Sequence, residues 1–208
     1  MIRFLLVRHA DSLAVGNDAP LSAVGREKAK ALAQRLADWQ LDMAWSSDLR
    51  RAEETAIAIL RGRGTPQLHR TPLLREVEIP PKVAAAGPGC MQYEQWEREV
   101  VDSLAQRLTE WLRLLLSSAP TVTRHSKTAG ATGEGGSSQT ILVVSHGGPL
   151  RILICLLLGL PPDMHWSFRV DHAGLTVIER CEGMGTVTLL NDTSHLHSSL
   201  ESRVQKGL

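Results

Sequence analysis

The chain has 208 residues, 43% of them hydrophobic and 22% charged, with 23 Lys and Arg against 22 Asp and Glu. That length buries a substantial core without staples, so one domain over residues 1–208 is expected. The near-neutral charge argues against a nucleic-acid partner, which would need a basic excess. No apolar run approaches the roughly 20 residues that span a bilayer, so no membrane partner is expected either.

The N-terminal "IRFLLV" is short, branched and apolar, and reads as a strand buried on both faces. Arg3 and Arg8 bracket only four apolar residues there, too few for a secretory signal. "LSAVGREKAKALAQRLADWQ" places Ala29, Leu32, Ala33 and Leu36 at helical spacing, with Ser22 as N-cap. "LDMAWSS" reads as a second strand, followed by a helix in "SDLRRAEETAIAILR" whose inner face is Ala52, Thr55, Ala56 and Ile59. Ser47 or Asp48 is expected to cap it.

A strand in "PQLHRTP" precedes "LLREVEIPP", and residues 80–89, "PPKVAAAGPG", read as an irregular loop. A long helix over 92–117 carries the stripe Trp96, Val100, Leu104, Leu108, Trp111, Leu112 and Leu115, with its tryptophans expected in the core. Residues 118–139 are rich in Gly, Ser and Thr and read as a flexible insertion. "TILVVS" is the clearest buried strand. A helix follows from Pro149, placed at its first position, to about Leu158. "GLTVIERCEGMGTVTLLND" reads as two strands joined around Gly183 to Gly185.

The three cysteines, Cys90, Cys155 and Cys181, are odd in number and lack metal-type spacing. They point to a reducing compartment, and the cytoplasm is the expected location. Strand–helix alternation over most of the length specifies an α/β layered fold with a mostly parallel sheet.

In such sheets ligands bind beyond the carboxyl ends of the strands. His9 follows "LLVR", His146 follows "LVVS", and "SSDLRRA" brings Arg50 and Arg51 into a first helical turn. Gly147 and Gly148 precede a helix whose N-terminal N–H groups and dipole favour an anion. Together these strand ends form a pocket for a compact polyanion such as a phosphoryl group, for which a guanidinium fork is well suited. Any one of them alone is more simply a structural hydrogen-bonder or a solvated cation. The conjunction is what carries the inference.

"LLVRHADS", "PLSAVGREKAKALA", "SSDLRRAEETA", "LLRE" and "VVSHGGPLRILI" occur in that order, with "FRVDHAGLTVIE" and "LLNDTSHL" at the end. This set resembles the histidine phosphatase superfamily, in its phosphoglycerate-mutase-like branch. The resemblance spans nearly the whole chain, apart from residues 80–90, 118–139 and the last dozen. It implies a three-layer α/β/α sandwich and metal-independent hydrolysis of a small-molecule phosphomonoester, with no cofactor. It further implies that His9 is the nucleophile and that Arg8, Arg51 and His146 hold the phosphoryl oxygens. Glu76, in "LLRE", falls at the family's proton-donor position, and Ser12 and Gly147 are further phosphate-binding candidates.

Glu78 is the fallback acid, Arg50 a neighbour, and Arg151 structural. His69, His125, His165, His172, His195 and His197 lie outside the catalytic motifs. Ala10 replaces the glycine that usually follows the nucleophile. The Trp-Asn pair and Gly-rich segment of mutases are missing, as is a Trp-Glu-Gly after the acid. These departures favour a phosphatase over a phosphoglycerate mutase. A protein phosphohistidine phosphatase is disfavoured by the presence of Glu76, and a non-catalytic phosphoryl-binding module by the presence of both His9 and Glu76.

Overall fold

In the computed structural model, residues 1–13, 18–78, 80–118 and 138–196 are described. The strands are β1 (Ile2–Arg8), β2 (Met43–Ser47), β3 (Leu68–Thr71), β4 (Gln139–Ser145), β5 (Leu175–Cys181) and β6 (Met184–Asp192). The α-helices are α1 (Ala23–Arg35), α2 (Arg50–Leu60), α3 (Pro81–Ala86), α4 (Met91–Ser118) and α5 (Gly147–Leu158), with 3₁₀ turns at Pro72–Leu74 and Pro162–Ser167. The sheet order is β3-β2-β4-β1-β5-β6. The first three pairings are parallel, while β1–β5 and β5–β6 are antiparallel.

Alternation along the central strands builds the layers. Phe4 and Leu6 of β1, with Ile141 and Val143 of β4, pack into one core with Leu104, Leu108 and Trp111 of α4 and Ile152 and Leu153 of α5. Their neighbours Leu5, Val7, Leu142 and Val144 face the opposite core, formed with Ala29 and Leu32 of α1 and Ala52, Ala56 and Ile59 of α2. A strand buried on both faces has no polar side to offer, which explains the unbroken apolar runs. The expected three-layer sandwich is the observed one.

Several local expectations are corrected. Residues 80–89 contain the short helix α3, because a proline in the first turn forfeits no intrahelical hydrogen bond and Val-Ala-Ala continues it. Gly87, at φ 74°, ends it. Helix α2 is capped by Leu49 without a side-chain bond; Asp48 instead pairs with Arg75, and Arg50 N–H donates to Asp18. Helix α5 begins at Gly147, not Pro149, so both glycines lie inside its first turn. Of the insertion expected at 118–139, Ser118 ends α4 and Gln139 opens β4, while residues 119–137 lie outside the described residues. Ser22 caps α1 as expected, accepting from Gly25 N–H at 3.0 Å. Among the described residues no helix is long and apolar enough to cross a membrane.

Candidate active site

Parallel pairing determines what meets at the sheet's edge. Arg8 of β1 is in register with Ser145 of β4, so His9 and His146 leave adjacent strands side by side. Their ring centroids lie 4.9 Å apart. The carboxyl end of β2 leads into α2 and delivers Arg51, and the end of β3 leads through a 3₁₀ turn to Glu76. Because β5 runs antiparallel, its entry rather than its exit lies at this edge, and it brings in His172.

His9 is 5% exposed and its backbone is clamped from several sides. Its N–H donates to Ser145 C=O at 2.9 Å, and its C=O accepts from Ala173 N–H at 3.3 Å. Ala10 N–H donates to the Thr55 hydroxyl at 3.1 Å, which donates in turn to Arg51 C=O at 2.7 Å. That relay ties the loop at His9 to the helix carrying Arg51. Ala173 holds φ 57°, a left-handed conformation costly for a residue with a β-carbon.

The ring of His9 has an assignable tautomer. Its Nδ1 lies 2.7 Å from Ala10 C=O, which can only accept, so Nδ1 carries the proton. Nε2 therefore keeps its lone pair, and Arg51 Nε approaches it at 3.2 Å. Burial, together with the nearby charges of Arg51, His172 and Arg8, pulls the His9 pKa down to about 3. His146, fully buried, is pulled down to about 2 by burial and then by His9, Arg51 and Arg8. Both imidazoles are neutral at physiological pH.

Arg8 donates to Val170 C=O at 2.8 Å, and burial lowers its pKa and that of Arg51 against the opposing pull of Glu76. Among the described residues neither ring nitrogen of His146 nor Nε of Arg8 finds a hydrogen-bond partner, although all three are buried. Buried polar atoms of this kind cost on the order of 1–3 kcal/mol each when unpaired. A phosphoryl group's oxygens would satisfy them.

Glu76 completes the group. Its Oε2 accepts from Gly148 N–H in the first turn of α5 at 3.2 Å, and its Oε1 from Val77 N–H at 3.2 Å. Gly147 lies against Arg8, with space for a β-carbon 3.5 Å from its guanidinium carbon. Glu78 is exposed, though its charge reaches Arg51. Ser12 bridges through its backbone to Leu21, and Arg50 is exposed and pairs with Glu54.

The residues gathered here include some that reading by motif missed. His172 has its ring 5.1 Å from His9, although its stretch "FRVDHAGLTVIE" entered only as part of the resemblance, with no role for this histidine. Arg107, on α4, donates to the carbonyl of Arg75 beside Glu76, and burial lowers its pKa. A cation on the inner side of a long amphipathic helix was its only sequence signal. Trp111 is in the core as expected, but Trp96 is half-buried and lines a cleft of about 300 Å³. Arg151, expected to be structural, lines the same cleft together with Arg8 and Glu76.

A family model described as the histidine phosphatase superfamily (branch 1) matches residues 4–193. The chain is 31% identical over 209 residues to an adenosylcobalamin/alpha-ribazole phosphatase of Salmonella typhi, covering 91% of this chain and 96% of that protein. It is 29% identical to phosphoserine phosphatase 1 of Hydrogenobacter thermophilus, covering 94% and 95%. Among solved structures, the alpha-ribazole phosphatase of Shigella flexneri superposes with a TM-score of 0.70 at 26% identity, over 91% of this chain and 96% of that one.

Proposed function

The chain belongs to the histidine phosphatase superfamily (branch 1), and from that premise we propose that it hydrolyses small phosphorylated metabolites through a phosphohistidine on His9. The observation that carries this reading is the tautomer of His9. With Nδ1–H held by Ala10 C=O, the Nε2 lone pair faces the guanidinium of Arg51 in a cluster of buried donors.

In the first half-reaction His9 Nε2 attacks phosphorus and the ester P–O bond breaks. Glu76 gives its proton to the leaving alkoxide, so an alcohol departs and a phosphohistidine remains. In the second, Glu76 takes a proton from water, the resulting P–O bond replaces P–N, and orthophosphate leaves. Arg8, Arg51 and His146 stabilise the oxygens as charge shifts between them, with Gly147 at the helix N-terminus as a further contact and Ser12 a candidate on the family resemblance alone. The positive charge the transfer needs is thus supplied by side chains, and turnover requires no metal or cofactor.

The relatives' names, alpha-ribazole phosphatase and phosphoserine phosphatase, both denote small phosphomonoesters as substrates, and we infer the same class here. Three free cysteines support a reducing, cytoplasmic setting. The test is phosphate release from p-nitrophenyl phosphate in EDTA. Wild type is expected to turn over, and His9→Ala to lose at least about 10³-fold in kcat/KM. Equal rates in the two proteins would overturn the reading.

A further inference from the structure

Resting on the phosphatase reading, the structure assigns the cleft beside Glu76 as a leaving-group subsite for an alcohol bearing a planar, largely apolar body. The substrate class is then the phosphomonoester of an aryl- or heteroaryl-bearing alcohol, in preference to small polar alcohols such as serine or glycerate.

Position comes first. Arg8, Glu76 and Gly148 belong both to the phosphoryl cluster and to the lining of this cleft. An alcohol protonated by Glu76 therefore leaves into it. The cleft's volume, about 300 Å³, falls at the lower end of small-molecule sites. At the packing density of protein interiors that accommodates roughly a dozen heavy atoms, about the size of a fused bicyclic ring.

The walls are aromatic and aliphatic. Tyr93 and Trp96 project from the start of α4 with ring centroids 5.7 Å apart, and Val100, Leu104 and Ile152 continue the apolar surface inward. Opposing roles for these side chains are easily distinguished. Leu104 is buried and belongs to the core, whereas Trp96 is half-buried and Trp166 is 60% exposed.

Trp166 is the informative residue. Its exposed indole lines the cleft beside Tyr93 and Trp96, and so adds a large apolar surface that gains from burial under a ligand. Here the indole is held in place while still exposed. Its Nε1–H donates to Glu97, and the Arg151 guanidinium sits 4.7 Å from the ring centroid. Those contacts fix the plane of the ring before any ligand arrives, which reduces the ordering cost of stacking on it. They also engage Glu97 with the indole N–H, while Arg151 lies over the ring with its buried Nε unpaired among the described residues. The preference for an apolar alcohol therefore rests on the aromatic and aliphatic walls.

The experiment compares kcat/KM for benzyl phosphate and ethyl phosphate, whose alcohols are similarly poor leaving groups. Wild type is expected to favour benzyl phosphate by about 30-fold, mostly through KM, from burial of the ring. Trp166→Ala and Trp96→Leu are each expected to reduce that ratio by about 5–10-fold. Trp166 is exposed, so its variant keeps the test usable if Trp96→Leu fails to fold. A wild-type ratio near one, or a ratio unchanged in Trp166→Ala, overturns the subsite and leaves the phosphatase reading standing. Failure of wild type to release phosphate from either ester or from p-nitrophenyl phosphate overturns the phosphatase reading, and the subsite with it.

Discussion

Glu76 lies so close to Gly148 that a β-carbon on the glycine would sit 2.6 Å from its Oε1. The glycine is therefore part of the seat of the Glu76 carboxyl group. It lets the carboxylate reach the first turn of α5, where an N–H donor and the positive end of the helix dipole meet it.

Gly148→Ala is accordingly expected to push Glu76 out of place while leaving His9 and the arginines where they are. Turnover of benzyl phosphate, whose alkoxide needs a proton, should fall about 100-fold in kcat. Turnover of p-nitrophenyl phosphate, whose phenolate leaves unaided, should fall by less than about 5-fold. Equal losses on the two esters would show that the glycine serves the phosphoryl pocket and not the acid.

Acid stability follows from the two neutral histidines. In the folded state His9 titrates near 3 and His146 near 2, whereas in the unfolded chain both titrate near 6.5. Between those limits the unfolded state binds more protons. Stability is thus full above about pH 6.5 and is lost as pH falls toward 3. Each buried histidine is expected to contribute a loss on the order of 2 kcal/mol between pH 6.5 and 4.5. Urea denaturation at those two pH values checks this, and His146→Asn should narrow the difference. An unchanged difference would place the proton uptake elsewhere.

Thr55 is fully buried and has two backbone partners, Ala10 N–H and Arg51 C=O. Thr55→Val keeps the shape but leaves the Ala10 donor unpaired. Stability should fall by about 1–3 kcal/mol by urea denaturation. A drop of about tenfold in kcat should accompany it, since the same relay spaces His9 from Arg51. A loss of stability with kcat intact would separate the relay from the chemistry.

Much of this was legible in the chain itself. The runs "FLLV" and "ILVVS" are short, branched and apolar without alternation, which reads as a strand covered on both sides, and so a layered sheet. Ser22 marked the start of α1 through a local hydrogen bond that any chain with that spacing can form. Strand ends in a parallel sheet share one edge, which pointed to His9, His146 and the Arg50–Arg51 pair, and the choice of Arg51 rested on the family resemblance. Where local rules conflicted with partners elsewhere, they gave way. Asp48, a good cap by type, is committed to Arg75, and Arg50 N–H is served by Asp18 instead.

Sequence alone therefore determined the layers and the order of the motifs, because both depend on short-range patterns in apolarity and residue type, while the roles expected at the strand ends came from the family resemblance. Only tertiary structure decided which imidazole nitrogen of His9 is free, because that rests on one carbonyl 2.7 Å away. It also decided that His172, Arg107 and Arg151 approach the site and that Trp96 and Trp166 face a cleft. Those placements come from the antiparallel strand whose entry brings His172 to the shared edge, from helix α4, which carries Trp96 and Arg107, and from α5 and the 3₁₀ turn after it, which carry Arg151 and Trp166. Long-range packing of that kind leaves no local period in the chain.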